Sequence, residues 1–331
     1  MELTMNKVRR NELLLVLAAF IWGVAFVAQS KGAELISPFT FNGLRMLLGA
    51  LVLTVLIEIR RLTDKKAYDG EAVLKRDENP CDEALGKEKG KAAGFIRRIP
   101  TTVQAGIACG VMLTIASNFQ QMGVDMGATA GKAGFLTACY VILVPVLGLL
   151  LGRRCNIRVW IGVALTVTGM YLLCIKGDFV FQSADIMLIL CAFFYALHIM
   201  VVDHFAPIAD GVRIARGQFL VCGIISMVIA FFTEMSQMGG LQGLAASLLQ
   251  LPVIITLLYM GIMSCGVAYT LQIVGQNGVN PTVASILMSL ESVFSALAGW
   301  AILGQELSPR EAAGCLLIFV AIILAQLPVA G

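Results

Sequence analysis

The chain has 331 residues, of which 58% are hydrophobic and 14% are charged, whereas a typical soluble domain has about 45–50% and about 25%. A net charge of +3 gives no indication of a nucleic-acid partner. Apolar runs of about 20 residues recur along the chain, and each is long enough to cross a hydrocarbon core of about 30 Å as a helix. These features exclude a soluble domain and predict an all-α polytopic membrane protein in a lipid bilayer.

Ten membrane-spanning helices are predicted from the apolar runs. The first run follows Lys7, Arg9 and Arg10 and has the flanks of a signal peptide. We interpret it as a retained helix because it has a counterpart in the second half of the chain. The predicted spans cover residues 13–30, 37–57, 103–123, 130–151, 157–175, 184–203, 213–233, 252–274, 281–302 and 309–328.

Comparison of the chain with itself indicates two related halves. When the chain is compared with itself at an offset of 152 residues, six residues match identical residues, among them Gln120 and Gln272. At an offset of 173 residues, three residues of the first span match identical residues in the second half. The difference between the offsets corresponds to extra, highly charged chain after the second span, at 58–101. We therefore predict two five-helix repeats, 11–176 with this inserted loop and 183–328.

The distribution of Lys and Arg predicts the orientation. With the N-terminus in the cytoplasm, 19 of the 24 Lys and Arg residues lie in cytoplasmic segments, as the positive-inside rule requires. The loop at 153–158 carries three arginines, whereas its counterpart at 305–311 carries one arginine and two glutamates. The second repeat is therefore predicted to be inverted, with both termini cytoplasmic in the cell membrane. Inverted repeats are typical of secondary transporters that bind substrate near the bilayer midplane.

Three segments resemble one known family: LAAFIWGVAFVAQ (17–29), GKAGFLTACYVILVPVLGLLLGRR (131–154) and SLESVFSALAGWAILGQELS (289–308). They are similar to the EamA-domain branch of the drug/metabolite transporter superfamily, over the whole chain except 58–101. In that family a proline often follows the glutamate, where it would bend the helix. This chain has Ser292 at that position, so the sequence alone does not predict the bend. The resemblance implies a ten-helix carrier of small metabolites, often an exporter, that works without ATP hydrolysis.

Glu291 is the first candidate for transport chemistry, because a charge at mid-bilayer costs about 2.5–3.5 kcal/mol even on insertion scales. It could carry a proton, or it could be a structural carboxylate satisfied by a helix end or a basic partner. Arg45 in the second span is predicted at a similar depth, and Lys132 begins the fourth span. We hypothesise that Arg45 or Lys132 pairs with Glu291 in one transport state. The alternative is that the two basic side chains extend to the membrane surface as anchors.

Polar and aromatic side chains within the spans are candidates for lining the substrate pathway. Tyr269, Gln272 and Gln276 share one face of the eighth span. A few hydrogen-bonding groups among aromatic walls suit a ligand cavity, although each residue could equally serve packing between helices. The full set is Trp22, Asn118, Gln120, Gln121, Tyr195, His198, Tyr269, Gln272 and Gln276.

Motifs for nucleotide, metal or catalytic chemistry are lacking in the sequence. The segments at 127–133 and 86–92 resemble a phosphate-binding loop but have three residues between the glycines instead of four, and no Ser or Thr follows the lysine. The nine cysteines are scattered singly without a C-x-x-C spacing, and the two histidines form no H-E-x-x-H. We therefore expect no cofactor, no bound metal and no enzymatic activity.

Together these observations predict a secondary active transporter of small metabolites, an exporter that uses proton antiport or substrate exchange. A channel or a membrane enzyme fits the pattern less well, because inverted repeats favour alternating access and no catalytic constellation is visible. The alternative from another class is a membrane-embedded signalling or assembly protein that acts through the loop at 58–101.

Overall fold

The computed structural model describes residues 2–32, 36–63, 99–128, 130–153, 156–175, 181–303 and 308–326, and these parts contain helices and no strand. A π-helix, Tyr259–Tyr269, joins α10 to α11. In chain order the α-helices are α1 (Glu2–Gly32), α2 (Pro38–Thr63), α3 (Thr101–Asp125), α4 (Ala130–Ala138), α5 (Tyr140–Leu150), α6 (Ile157–Cys174), α7 (Ser183–Phe205), α8 (Gly211–Thr233), α9 (Gly240–Leu248), α10 (Leu251–Leu258), α11 (Thr270–Gln276), α12 (Pro281–Met288), α13 (Leu290–Leu303) and α14 (Pro309–Gln326).

Eight helical segments of the described chain are long and apolar enough to cross a membrane. Helices α1 and α14 occupy the positions of the first and tenth predicted spans but are not among the eight. The prediction of a multi-pass, all-helical membrane protein is therefore confirmed, and the number of ten spans stays a prediction. The eight segments are Pro38–Ile59, Thr101–Asp125, Lys132–Leu150, Ile157–Cys174, Ser183–Phe205, Gly211–Thr233, Leu251–Gln276 and Pro281–Ala301.

The charged segment at 58–101 begins as a continuation of α2. Helix α2 continues to Thr63 and α3 begins at Thr101, so residues 58–63 are helical. Residues 64–98 lie outside the described part of the chain. The predicted insertion is thus helical over its first six residues, which continue α2, and its role stays a prediction.

Two hydrophobic cores lie side by side in the bundle. The first is built mainly from α5, α6, α12, α13 and α14, and the second from α2, α3, α8, the π-helix and α11. Helices α1 and α7 contribute to both, and Trp22 and Tyr195 pack against both cores. These two aromatic residues therefore mark the boundary at which the site described below is found.

Helices α1 and α13 approach closely at Gly23. A Cβ at this position would lie 2.5 Å from Cβ of Phe294 and 2.8 Å from the backbone oxygen of Glu291, distances that side chains do not tolerate. The absence of a side chain at Gly23 therefore allows α1 to contact α13 at the level of the mid-membrane glutamate.

Two of the predicted spans are interrupted near their middles. The fourth breaks at Cys139, between α4 and α5, and the ninth breaks at Ser289, between α12 and α13. At each break the backbone makes an i to i+3 hydrogen bond, Ile142 N to Cys139 O at 3.0 Å and Ser292 N to Ser289 O at 3.1 Å. The interruption at Ser289 is thus present although Ser292 replaces the proline common in the family that it resembles.

Candidate functional site

A cavity of about 70 Å³ lies between the two cores. A single water needs about 10–15 Å³ on this scale, so the cavity has room for a small ligand. Its walls come from α1, α2, α3, α4, α5, α7, the π-helix, α11, α12 and α13. The lining residues are Trp22, Ala25, Arg45, Gln120, Thr137, Tyr140, Tyr195, Ile199, Met260, Ser264, Tyr269, Gln272, Met288 and Glu291.

Glu291 reaches the cavity from the first turn of α13 and is only 9% exposed. It follows the interruption at Ser289 by two residues. The Tyr140 hydroxyl, at the start of α5, lies close to the Glu291 side chain and lines the same cavity. The two interrupted spans therefore meet at the acidic side of the cavity.

Arg45 lines the same cavity from α2 and is 4% exposed. Its Nε donates to Oδ1 of Asn42 at 3.0 Å, and its guanidinium carbon lies 5.6 Å from the ring centroid of Phe41. The side chain is thus held inside the bundle. Among the ion pairs of the described residues, none joins Arg45 to Glu291 within 4.0 Å.

Asn42 anchors Arg45 to a buried polar cluster between α2, α3 and α8. Its Nδ2 donates to Oγ of Ser117 at 2.9 Å and to Oδ1 of Asn118 at 2.8 Å. Nδ2 of Asn118 in turn donates to Oγ of Ser226 at 3.0 Å. Asn118 therefore supports the position of Arg45 and is not itself among the cavity-lining residues.

The neutral polar wall of the cavity is a chain of side-chain contacts. The hydroxyls of Tyr195 and Tyr269 are 3.3 Å apart, and that of Tyr195 is 3.5 Å from Oε1 of Gln120. Nε2 of Gln120 lies 3.4 Å from Oγ1 of Thr137. The ring of Trp22 meets that of Tyr269 edge to face, with centroids 4.8 Å apart. These contacts join α1, α3, α4, α7 and the π-helix around one space.

Lys132 forms an ion pair with a carboxylate other than Glu291 in this structure. Its Nζ is 2.8 Å from Oδ2 of Asp185, whose side chain is fully buried at the start of α7. Lys132 is thus one partner of an ion pair between α4 and α7, and it is not among the residues that line the cavity.

Three further predicted pathway residues are buried but do not line the cavity. His198 Nε2 lies 2.9 Å from Oε1 of Gln218, which joins α7 to α8. Gln121 is 2% exposed on α3, and Gln276 is 1% exposed at the end of α11. Both side-chain polar atoms of Gln276 lack a hydrogen-bond partner.

The predicted site residues fall into two groups. Those that line one cavity with Arg45 and Glu291 are Trp22, Gln120, Tyr195, Tyr269 and Gln272. Those that lie outside it are Asn118, Gln121, Lys132, His198 and Gln276.

Several lining residues were not predicted from the sequence. Thr137 and Tyr140 flank the break at Cys139, and Met260 and Ser264 lie in the π-helix. Tyr140 had a usable signal, since its phenol is a polar group within an apolar span. In the described part of the chain, no group of three His, Cys, Asp or Glu side chains is placed to hold a metal ion.

Comparison with known proteins connects this arrangement to transport. An uncharacterized transporter of Archaeoglobus fulgidus is 26% identical over 319 residues, which cover 96% of this chain and 86% of the relative. A solved structure described only as "Crystal structure of protein" has a TM-score of 0.69 at 16% identity and covers 96% of each chain, a likeness of fold alone. The profile of the EamA-like transporter family matches residues 9–73 and 182–327, more than half of the chain. The chain therefore belongs to the EamA-like transporter family, within the drug/metabolite transporter superfamily.

Proposed function

We propose that this membrane transporter is a secondary active carrier that exports small metabolites by proton antiport or exchange. The observation that carries the proposal is the cavity between the two cores, which is lined by buried Arg45 and Glu291 together with tyrosines and glutamines. Pockets with few polar groups among aromatic and aliphatic walls suit small ligands.

Alternating access between two inverted repeats, 11–176 and 183–328, is the proposed conformational mechanism. Helix pairs that would be equivalent in such repeats make matching contacts. Helix α7 packs on α3, α4 and α5, as α1 packs on the π-helix, α11, α12 and α13. Helices α2 and α8 pack on each other, and so do α6 and α14. This pattern supports a pseudo-two-fold relation between the two repeats. In the proposed mechanism the two cores rock against each other around α1 and α7.

Glu291 is the proposed coupling residue, and Arg45 is its proposed regulator. Glu291 is nearly buried, lies at a helix interruption and contacts Tyr140. An Arg45–Glu291 pair that forms in another transport state would link protonation to the change of conformation. If Arg45→Gln and Glu291→Gln changed the transport rate additively, the two residues would act independently and this part of the proposal would be wrong.

The proposed location is the cytoplasmic membrane with both termini inside the cell. The distribution of Lys and Arg supports this orientation. The competing function, signalling or assembly through the loop, is tested by deleting residues 64–98. A carrier would keep its transport activity after the deletion, whereas a scaffold would lose its partner.

The direct test uses purified full-length protein in liposomes that contain a pH-sensitive dye. Pools of amino acids, nucleosides and cationic compounds are added, and proton movement is compared for the wild type, Glu291→Gln and the control Glu58→Gln. Glu58 is on α2 with a side chain that is 52% exposed, so its substitution should leave transport unchanged. Proton movement with one pool, lost only in Glu291→Gln, is the expected result. Cargo flux without proton movement would exclude proton antiport, and silence of the folded protein with every pool would contradict the carrier function.

A further inference from the structure

Two close contacts between helices lie on either side of the cavity. Gln120 on α3 and Gln272 on α11 both line it, and each is followed three residues later by a glycine, Gly123 and Gly275. Three residues advance a helix by about 4.5 Å, so each glycine lies about one turn beyond the cavity, toward the end of its helix. At both glycines a neighbouring helix comes so near that no room is left for a side chain.

The contact at Gly275 is made by α1. A Cβ at Gly275 would lie 2.9 Å from the backbone oxygen of Asn11 and 3.0 Å from Cγ of Leu15. Nδ2 of Asn11 donates to the backbone oxygen of Asn277 at 2.6 Å, and Nδ2 of Asn277 donates to that of Ala206 at 3.0 Å. Two side-chain amides therefore join the start of α1, the end of α11 and the end of α7.

The contact at Gly123 is made by the start of α7. A Cβ at Gly123 would lie 2.8 Å from Cδ2 of Leu188 and 3.2 Å from the backbone oxygen of Ala184. About 33 Å of helix separates Ala184 from Ala206, since 22 residues each rise about 1.5 Å. The two contacts thus lie at opposite ends of α7, with the cavity between them.

The two contacts are equivalent in sequence. The offset of 152 residues between the two halves of the chain places Gly123 on Gly275. The offset of 173 residues places the two α1 residues of the first contact on the two α7 residues of the second. Both sides of one contact therefore correspond to both sides of the other, as expected for two inverted repeats that close a cavity from opposite faces.

The contact at Gly275 differs from its counterpart in its buried amides. Gln276 and Asn11 are each 1% exposed, and both polar atoms of the Gln276 side chain and Oδ1 of Asn11 lack a hydrogen-bond partner among the described residues. The same offsets place the apolar residues Val124 and Ala184 at these two positions in the other contact. A buried amide without a partner destabilises the conformation that buries it. Opening of the Gly275 contact would relieve this cost by admitting water.

Resting on the proposed transport function, we propose that these two contacts are the gates of the cavity. The inner gate, on the cytoplasmic side in the proposed orientation, is the contact at Gly275, and the outer gate is the contact at Gly123. The side-chain amides of Asn11 and Asn277 hold the inner gate closed. When it opens, α1 separates from α11, and water reaches the amide of Gln276 between the cytoplasm and the cavity.

The test adds the same methyl group to each gate. Gly275→Ala should separate α1 from α11, and Gly123→Ala should separate α7 from α3, because overpacking destabilises the closed contact. Favouring the open state of one gate should also favour the closed state of the other, since alternating access couples the two. Gly134→Ala in α4 is the matched control, because a Cβ there meets no atom within 4 Å.

The readout is a reporter thiol in the cavity, introduced by Ser264→Cys into a full-length variant whose nine native cysteines are replaced. A membrane-impermeant thiol reagent is applied to either face of the protein in oriented liposomes. We expect Gly275→Ala to raise the rate from the cytoplasmic face about tenfold and to lower the rate from the outer face. Gly123→Ala should have the opposite effect on both rates, and Gly134→Ala should change neither.

A second variant opens the inner gate without adding bulk. Asn11→Ala removes the amide that holds α1 to α11 and introduces the residue found at the equivalent position, Ala184. It should shift both rates in the same direction as Gly275→Ala. Thermal unfolding verifies that each variant is folded.

The reciprocal change of the two rates distinguishes a gate from a contact that only packs helices. A rate that rises at one face without falling at the other would show local loosening and would overturn the pair of gates. Unchanged rates in folded Gly275→Ala and Asn11→Ala would do the same.

The reporter thiol reacts without cargo, so the gates and the carrier function are tested separately. Reciprocal rates without flux of any cargo would support the gates and contradict the carrier. Cargo flux with unchanged rates in the gate variants would support the carrier and overturn the gates.

Discussion

Lys132 and Asp185 form an ion pair with a separation of 2.8 Å between Nζ and Oδ2, joining the start of α4 to the start of α7. Oδ2 of Asp185 also accepts a hydrogen bond from the backbone of Gln182 at 2.7 Å. One carboxylate therefore both caps α7 and binds α4. This contact occupies Lys132 in the present conformation, which leaves Arg45 as the basic residue that shares a cavity with Glu291.

Breaking this ion pair should destabilise the folded protein. Lys132→Gln or Asp185→Asn leaves a buried group without its partner, and such losses cost about 3–5 kcal/mol. The double variant should cost clearly less than the sum of the single changes. Thermal unfolding in detergent, followed by tryptophan fluorescence, measures the effect.

The exposed pair Glu58 and Arg61 is the control, since surface pairs contribute about 0–1 kcal/mol. Additive losses at Lys132 and Asp185 would contradict the account.

Glu234 is expected to stabilise the start of α2. Its carboxylate accepts from the backbone N–H groups of Phe39 and Thr40, both at 2.8 Å, and from the Thr40 hydroxyl at 2.6 Å. Glu234→Ala leaves these donors unsatisfied and should cost about 1–3 kcal/mol. Glu234→Gln keeps one oxygen acceptor and should cost less. The same thermal unfolding assay measures the stability of both variants. Equal stability of Glu234→Ala and the wild type would show that Glu234 does not stabilise the start of α2.

The close contact at Gly23 predicts a glycine-specific effect on transport. Gly23→Ala places a methyl group against Phe294 and the backbone of Glu291, and overpacking of this kind costs about 1–3 kcal/mol. We expect lower stability and lower flux, because α13 must move away and takes Glu291 with it. Gly134→Ala in α4 is the control, since a Cβ there meets no atom within 4 Å. Wild-type flux in Gly23→Ala would show that this contact does not position the site.

Hydropathy predicted the spans well because a bilayer requires long apolar helices whose backbone groups are all hydrogen-bonded. The breaks at Cys139 and Ser289 were not predicted. No proline or glycine occupies either position, so neither break has a local sequence signal. The π-helix Tyr259–Tyr269 likewise lacks a local sequence signal.

The polar side of the cavity could be found from sequence because polar residues stand out within apolar spans. Trp22, Gln120 and Tyr195 were predicted in this way and line the cavity. The same criterion also selected Asn118 and His198, whose hydrogen bonds are made to neighbouring helices. Sequence alone does not separate these roles, because both place a polar group inside the bundle.

The apolar side of the cavity could not be predicted. Met260, Met288 and Ile199 are ordinary residues for a membrane helix, and only the packing of distant helices places them around one space. Asp185 was also overlooked, because a carboxylate at the edge of a span is usually a surface residue. Its burial depends on Lys132 from another helix.

Alternating access requires that the cavity opens in turn to each side of the membrane. Ser264 lines the cavity and is 3% exposed, so Ser264→Cys introduces a thiol there with little change in size. The substitution is made in a variant whose nine native cysteines are replaced and which still transports cargo. A membrane-impermeant thiol reagent is then applied from the inside or from the outside of oriented liposomes.

An alternating-access carrier predicts modification of Cys at this position from either side, with the faster side changing when the proton gradient is reversed. Cargo should slow the reaction, and the modified protein should no longer transport. Reaction from one side only under every gradient would contradict alternating access, and full transport after complete modification would show that cargo does not pass through this cavity.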